Sequence, residues 1–194
     1  MSIPEIKLKA QTPSEWLPIA LRNFDSFLVN HAACERKAST TGLQFVVRYP
    51  NRVELVESMI QLSREELMHF HQVWRILQQR GIQLASDERD PYVNQLLQHE
   101  KHGQDYGLLD RLLIFGIVEA RGCERFRLIG ENHPDPLIKD FYSSLADAEV
   151  RHHELFIQLA LKYFDERNVL NRLEELLDIE ARIFLALPLR PSVH

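Results

Sequence analysis

Two short patterns in the sequence pair a glutamate with a histidine three residues later. Glu66 and His69 form the first pair, and Glu149 and His152 form the second. Residues three apart share one face of an α-helix, so each pair can direct a carboxylate and an imidazole towards one point. That chemistry is metal ligation. A single pair carries little weight, because ordinary helix residues produce such a pair readily by chance.

Each pair is preceded by a glutamate at a matching distance. Glu35 lies 31 residues before Glu66, and Glu119 lies 30 residues before Glu149. The segments HAACERKA and ELMH in the first half correspond to VEARGCERF and EVRH in the second, which indicates a coarse internal duplication. Four carboxylates that point into the core of a helical bundle would repel one another and lower the stability of the fold. Two divalent cations would compensate their charge.

The composition of this set predicts the metal. Mixed carboxylate and imidazole ligands suit iron or manganese better than calcium or thiolate-bound zinc. Four glutamates with two histidines are the di-iron ligand set of ferritin-like bundles, so we expect two iron ions as the cofactor. The predicted metal ligands are Glu35, Glu66, His69, Glu119, Glu149 and His152. In this interpretation Glu66 and Glu149 bridge the metals.

Two alternatives compete with this ligand set. The tripeptide Cys-Glu-Arg occurs at residues 34–36 and again at residues 123–125, which makes Glu124 a competitor for Glu119. Glu124 is only 25 residues before Glu149 and breaks the symmetry of the halves, so we favour Glu119. The second alternative is that all of these side chains are ordinary solvated or partly buried helix residues.

The elements that must position these side chains are helices. Only 7 Gly and 9 Pro occur in 194 residues, and no stretch alternates polar and apolar residues with period two. The expected fold is all-α, a ferritin-like four-helix bundle with accessory helices, in which residues 1–194 form a single domain. Four long helices are predicted at about 14–39, 52–80, 106–128 and 136–165, and shorter ones at 93–102 and 169–187. A loop is predicted between Thr40 and Asn51, and Gly81 is expected to end the second long helix.

Composition and charge narrow the class of protein. The longest strongly apolar run, Leu112–Val118, is too short for a membrane span, and the first residues lack the apolar core of a secretion signal. We therefore expect a cytoplasmic protein without a membrane partner. The net charge of −5 gives no global positive field, so a nucleic-acid partner would need a local basic patch. Cys34 and Cys123 are expected to be reduced.

At HAACERKA, ELMH, IVEARGCERF and AEVRHHELF, in this order and spacing, the chain resembles the bacterial tRNA hydroxylases that act on 2-methylthio-N6-isopentenyladenosine. The resemblance covers essentially the whole chain and places the family's iron ligands on the same six residues. It implies O2-dependent hydroxylation of the isopentenyl group at tRNA position 37, next to the anticodon. Two further electrons per turnover imply a separate reductase, because the chain has no Gly-rich nucleotide loop and no Cys-x-x-Cys pair.

The implied substrate suggests further contacts. An apolar isopentenyl tail needs an apolar pocket, and the candidates are Leu28, Phe115 and Tyr142. The anticodon loop needs cationic contacts, and the candidates are Arg36, Lys37, Arg121, Arg125 and Arg127. Beyond the metal ligands we expect no further catalytic residue. Competing hypotheses are a ferritin-like di-iron oxidase or peroxide-handling protein that does not act on RNA, and a metal-free helical interaction module.

Overall fold

The regular structure of the protein is helical throughout the part of the chain described. A computed structural model describes residues 6–86, 88–101 and 103–194, in which seven helices and no strands occur. The helices are α1 (Trp16–Arg22), α2 (Phe24–Arg48), α3 (Val53–Gln79), α4 (Pro91–Leu97), α5 (Gln104–Asn132), α6 (Pro136–Tyr163) and α7 (Glu166–Ala186). The prediction of an all-α chain is therefore confirmed.

The helices belong to two compact units. The α2/α3 unit contains residues 18–88 and 190–193, and the α5/α6 unit contains the chain up to Leu17, residues 89–189 and His194. Each unit is built on two long helices joined by a short connection, which makes the two helices antiparallel neighbours. Each glutamate–histidine pair therefore lies in the same unit as the glutamate that precedes it in the sequence.

Helix α2 extends well beyond its predicted end. The loop predicted between Thr40 and Asn51 is wrong, since α2 continues to Arg48. The reason is Gly42, where a Cβ atom would lie only 2.2 Å from Ser63 Oγ and 3.0 Å from the Met59 carbonyl oxygen of α3. This glycine allows α2 and α3 to approach closely and does not form a turn.

The other helix ends follow local signals. The predicted first helix is divided at Asn23 into α1 and α2, and Gly81 ends α3 with a φ of +69°, as predicted. Asp135 caps α6 by accepting a hydrogen bond from the Leu137 amide at 2.9 Å, with Pro136 at the first helical position. Helix α4 is shorter than predicted, and α5 extends past its predicted end to Asn132.

Helices α5 and α6 pack through a regular series of contacts. Phe126 lies against Tyr142 with ring centroids 5.6 Å apart, and the Cys123 thiol donates to the Ala146 carbonyl oxygen at 3.3 Å. Further along, the rings of Phe115 and Phe156 are 6.3 Å apart. These contacts fix the antiparallel register of the helix pair on the face that carries the predicted ligands.

The α5/α6 unit also contains a buried network of charged side chains. Arg121 is fully buried on α5, and its Nε and Nη2 donate to Glu180 Oε1 of α7 at 3.0 and 2.7 Å. The Tyr92 hydroxyl donates to the same oxygen at 2.9 Å, and Arg121 Nη2 also donates to the Ala10 carbonyl at 2.8 Å. Burial, followed by the charge of Glu180, raises the pKa of Tyr92. This network fixes α4, α7 and the N-terminal segment onto α5.

Candidate metal centre

In the α2/α3 unit, three predicted ligands converge from two helices. His69 Nδ1 lies 3.3 Å from Glu66 Oε2 on α3 and 3.8 Å from Glu35 Oε2 on α2. All three side chains are buried. We call Glu35, Glu66 and His69 the α2/α3 half-site. The antiparallel contact of α2 with α3 is reinforced where Ser39 Oγ donates to the Ser63 carbonyl at 2.8 Å.

A second histidine supports this half-site. His31 is one turn before Glu35, has no exposed surface, and its Nε2 donates to Glu35 Oε1 at 2.6 Å. The other oxygen of Glu35 is the one that faces His69. Since a carboxylate held at one oxygen has a fixed orientation, His31 is a positioning residue for Glu35.

In the α5/α6 unit, the second E-x-x-H pair is equally buried. His152 Nδ1 lies 3.1 Å from Glu149 Oε2, and the exposed fractions of the two residues are 3% and 2%. Together with Glu119 they form what we call the α5/α6 half-site. Glu119 is half-buried on α5.

The register of α5 against α6 places Glu119 at the level of the Glu149 pair. On the Glu119 face, Cys123 is one turn later and contacts Ala146, while Phe115 is one turn earlier and contacts Phe156. Glu119 therefore lies between these two levels, which enclose Glu149 and His152 on α6. The charge of Glu149 also acts on Cys123, where burial is the largest cause raising the thiol pKa to about 11.

Glu124, the competitor of Glu119, is used elsewhere in the α5/α6 unit. Its carboxylate accepts hydrogen bonds from the Thr12 amide at 2.9 Å and the Thr12 hydroxyl at 2.6 Å, and it pairs with Arg121. These contacts fix the N-terminal segment to α5. They favour Glu119 as the fourth carboxylate of the ligand set.

The donor chemistry fits a divalent metal. Within each unit, a buried glutamate and a buried histidine, Glu66 with His69 and Glu149 with His152, offer oxygen and nitrogen atoms that can bind a metal ion. Buried carboxylates without a cation would be costly, whereas oxygen and imidazole donors without thiolate suit iron. Each half-site supplies two carboxylates and one imidazole, which is half of the ligand set of a ferritin-like di-iron centre.

Comparisons with known proteins agree with this chemistry. The sequence profile of the tRNA-(MS[2]IO[6]A)-hydroxylase (MiaE) family matches residues 2–194. The chain belongs to this family. The tRNA 2-(methylsulfanyl)-N(6)-isopentenyladenosine(37) hydroxylase of Pseudomonas putida is 34% identical over 169 residues, which are 86% of this chain and 82% of the relative. The protein of the same name from Salmonella typhimurium is 25% identical over 228 aligned positions, covering 92% of this chain and 84% of the relative.

A solved structure extends the comparison to the fold. Protein 43 with aldehyde deformylating oxygenase activity from Synechococcus is 33% identical to this family member, with a TM-score of 0.92 over 96% of this chain and 94% of that chain. The prediction of an all-α, ferritin-like fold is confirmed. None of the helices in the described ranges combines the length and the low polarity that a membrane span requires.

The three pocket candidates differ in exposure. Leu28 is fully buried on α2, two turns before Glu35. Tyr142 is also fully buried, between the rings of Phe126 and Phe141, and Phe115 is half-buried against Phe156. The contact of these three side chains with substrate stays a prediction.

The five basic candidates divide into two groups. Arg121 is fully buried and bound to Glu180, and Arg125 is 4% exposed with its guanidinium 4.6 Å from the Trp16 ring centroid. Burial lowers the pKa of Arg125 to about 10. Neither buried guanidinium can contact a phosphate, so the expectation for these two residues is corrected.

The remaining basic candidates are accessible to different extents. Arg127 is exposed, and Arg36 and Lys37 are half-buried, with Lys37 Nζ donating to the Glu88 carbonyl. These three stay predictions for tRNA contact. Glu180, the partner of Arg121, is not among the residues that the sequence predicted. A glutamate in the apolar stripe of α7 together with an arginine in the apolar stripe of α5 was the available signal.

Proposed function

We propose that this chain hydroxylates the isopentenyl group of 2-(methylsulfanyl)-N6-isopentenyladenosine at position 37 of tRNA. The observation that carries the proposal is that each unit buries a glutamate and a histidine in contact on one helix and has a second glutamate on the neighbouring helix, within a member of the MiaE family. The relatives from Pseudomonas putida and Salmonella typhimurium bear the name of this reaction. Oxygen is the co-substrate.

In this proposal residues 1–194 act as one di-iron domain. The six proposed ligands are Glu35, Glu66, His69, Glu119, Glu149 and His152. Glu35, Glu66 and His69 would hold iron from the α2/α3 unit, and Glu119, Glu149 and His152 would hold it from the α5/α6 unit. When bound, the irons supply the oxidising chemistry that the side chains of this protein lack.

The chain's own residues position the metal ligands and the substrate. His31 holds Glu35 in one orientation through the 2.6 Å hydrogen bond. Leu28, Phe115 and Tyr142 provide apolar surface for the isopentenyl tail and exclude water from the reacting carbon. Arg36, Lys37 and Arg127 contribute positive charge for the anticodon loop, whose unstacked bases are accessible to a protein.

The reaction needs an electron donor. Insertion of one oxygen atom of O2 into a C–H bond leaves the second atom to become water, which requires two electrons and two protons. The described residues contain no Cys-x-x-Cys pair and no Gly-rich nucleotide loop that would supply them internally. We therefore infer a separate reductase, and a cytoplasmic location where tRNA is available.

Nucleoside analysis of tRNA tests the reaction. In cells that normally make the hydroxylated nucleoside, deletion of the gene should cause the unhydroxylated methylsulfanyl-isopentenyl nucleoside to accumulate, as measured by mass spectrometry. Re-expression of the wild-type chain should restore the hydroxylated form, whereas Glu149→Ala should not. An unchanged nucleoside profile after deletion would show that the tRNA assignment is wrong.

Iron analysis tests the ligand set separately from the substrate. The wild-type chain reconstituted without oxygen should bind about two irons, and Glu149→Ala should lose most of this iron while keeping its helical circular dichroism spectrum. The matched control is Glu131→Ala, an exposed glutamate on α5. Iron binding by Glu149→Ala equal to that of the control would exclude Glu149 as a ligand, and no iron in the wild type would favour a metal-free module.

A second candidate function is aldehyde deformylation. The observation that favours it is the 33% identity with the Synechococcus protein of that activity. Iron-loaded chain incubated with reductant, O2 and aldehydes of varied length should release no one-carbon product if the tRNA proposal is correct. Release of that product together with inactivity on tRNA would favour the second candidate.

A further inference from the structure

The outer face of α3 carries an unusual group of exposed side chains. Leu67 and Met68 are 55% and 52% exposed, and Ile60 and Trp74 are 39% and 36% exposed. Arg64, His71 and Arg75 are exposed on the same face. We call this surface the α3 stripe, and it consists of Ile60, Arg64, Leu67, Met68, His71, Trp74 and Arg75. Large apolar side chains that cluster on a surface mark an interaction site more often than scattered ones.

The α3 stripe lies on the side of the helix opposite the half-site. Helical spacing places its central residue, His71, nearly half a turn around the axis from His69. Glu66 and His69 lie on the buried face with Leu62 and Val73. The backbone of α3 therefore stands between the α3 stripe and the two proposed ligands, and one helix diameter of about 10–12 Å separates the two faces.

The charge of the α3 stripe is positive. Arg64 and Arg75 form no ion pair with any residue in the described ranges. The exposed acidic residues of α3, Glu54 and Glu57, precede the stripe, and Glu65 beside Arg64 is half-buried. In a chain with a net charge of −5, this local excess of guanidinium groups is complementary to an acidic surface.

The Trp74 ring packs against a neighbouring ring on the α3 stripe. It stacks on the His71 ring with centroids 5.8 Å apart and an interplanar angle of 23°. Tryptophan, methionine and arginine are enriched at protein interfaces, and an ordered side chain loses less conformational entropy on binding. This composition is that of a protein-binding surface with an aromatic residue available as its anchor.

We propose that the α3 stripe is the docking surface for a small acidic electron-carrier protein. The proposal rests on the proposed function, which requires electrons from outside the chain. A substrate must contact the reacting atoms and cannot do so through a helix backbone. An electron donor needs only proximity, and the α3 stripe is one helix diameter from Glu66 and His69.

The electron balance defines what the carrier does. Per turnover, two reduced one-electron carriers are each oxidised by one electron. These two electrons and the two electrons of the substrate C–H bond reduce O2 to one hydroxyl group and one water, with uptake of two protons from solvent. The carrier itself makes no contact with substrate, so its binding and tRNA binding are separate properties of the chain.

Direct binding measurements test the docking surface without turnover. The probes are an acidic plant-type [2Fe–2S] ferredoxin and an acidic flavodoxin, titrated against the full chain at low ionic strength. The double variant Arg64→Glu/Arg75→Glu should bind the carriers at least tenfold more weakly, and Trp74→Ala should bind them severalfold more weakly. Added salt should weaken carrier binding by the wild type. The matched control is Arg167→Glu, an exposed arginine on α7, which should bind as the wild type does.

Reduction kinetics and tRNA binding complete the test. Reduction of the iron-loaded chain by the reduced ferredoxin should slow at least tenfold in the double variant, whereas reduction by dithionite should be unchanged. The affinity for tRNA should also be unchanged. The proposal is overturned if the wild type binds neither the ferredoxin nor the flavodoxin. It is also overturned if the double variant binds them as tightly as the wild type does. Weaker tRNA binding with normal carrier binding would assign the surface to RNA instead.

These readouts separate the two proposals. If the chain binds and accepts electrons from an acidic carrier through the α3 stripe but does not hydroxylate tRNA, the docking proposal stands and the tRNA assignment fails. If dithionite-reduced chain hydroxylates tRNA and the α3 stripe variants accept electrons from both carriers normally, the tRNA assignment stands and the docking proposal fails.

Discussion

The two half-sites carry the same ligand types in different surroundings. Glu35 is 4% exposed and is held by His31, one turn earlier on α2. The corresponding position one turn before Glu119 is Phe115, which packs against Phe156 and offers no hydrogen bond. The ligand pattern is therefore repeated in the two units, but the histidine one turn before the first carboxylate is not. The two half-sites should respond differently to equivalent substitutions.

The scaffolds of the two units differ even more. All three buried arginines of the described chain, Arg121, Arg125 and Arg172, belong to the α5/α6 unit. Arg121 joins α5 to α7, and Arg172 donates from α7 to Asp110 of α5 through two hydrogen bonds of 2.8 Å. The α2/α3 unit is held mainly by apolar packing and a close helix crossing. The α5/α6 unit should therefore be far more sensitive to loss of a single charged group.

The largest effect should come from Arg121→Ala. The substitution leaves the fully buried Glu180 without its cationic partner, which should lower the free energy of unfolding by about 3–5 kcal/mol. Urea unfolding followed by circular dichroism measures this loss. Because an uncompensated charge is the cause, Arg121→Met/Glu180→Met should recover at least half of it.

The control for this prediction is Arg167→Ala, which removes an exposed arginine from the same unit and should change stability by less than about 0.5 kcal/mol. A loss in Arg121→Ala no larger than in this control would mean that the buried network does not stabilise the α5/α6 unit.

The next largest effect concerns the difference between His31 and Phe115. Replacing His31 by Phe puts at position 31 the residue type found at position 115 and removes the 2.6 Å hydrogen bond to Glu35. Iron affinity should fall by about 10–100-fold, because loss of the group that orients a ligand commonly has this effect. Competition with an iron chelator measures the affinity. His71→Phe, an exposed histidine on α3, should bind iron as the wild type does.

A smaller effect should distinguish two close helix contacts, that of α2 with α3 at Gly42 and that of α5 with α6 at Gly130. A Cβ at Gly42 would meet mainly Ser63 Oγ, at 2.2 Å, whereas a Cβ at Gly130 would meet Ser143 Oγ at 2.7 Å and the Ser143 backbone nitrogen at 2.9 Å. Both Gly→Ala variants should lose about 1–3 kcal/mol of stability through overpacking. Because the Ser63 hydroxyl is the nearest obstacle, Ser63→Ala should partly rescue Gly42→Ala.

In the α5/α6 unit, Ser143→Ala should fail to rescue Gly130→Ala, since the backbone remains in place. Thermal unfolding of the four variants and two double variants gives both coupling energies. Equal rescue in the two units would show that the crossings are equivalent.

Sequence spacing predicted which glutamates approach His69 and His152, because side chains three residues apart share a helix face, while their role as metal ligands stays a prediction. The pairs Glu66 with His69 and Glu149 with His152 need only one helix each, and the duplication supplied the partner glutamates. Literal similarity was a poorer guide. Residues 34–36 and 123–125 share the tripeptide Cys-Glu-Arg. Glu35 nevertheless belongs to the α2/α3 half-site, whereas Glu124 binds Thr12.

Two other misjudgements have a common physical origin. Local sequence favours a loop at Gly42 and an exposed cation at Arg121, because Gly usually ends helices and Arg is usually exposed. In the structure Gly42 serves a close helix crossing, and Arg121 is paired with Glu180 from a distant part of the chain. Both depend on tertiary contacts that local sequence does not reveal.

The smallest effect compares the two cysteines of the repeated tripeptide. Cys123 is buried on α5, and burial raises the pKa of its thiol from 9.0 to about 11. The folded chain therefore keeps a proton that the unfolded chain loses between these values, so this thiol contributes stability below pH 9.0 that is lost as the pH rises through about 11.

Because only the thiolate reacts, Cys123 in a Cys34→Ala variant should resist iodoacetamide at mildly alkaline pH and react after unfolding in urea. Mass spectrometry measures the modification. The half-buried Cys34 in Cys123→Ala should react faster, and equal rates in the two folded variants would contradict the difference in environment.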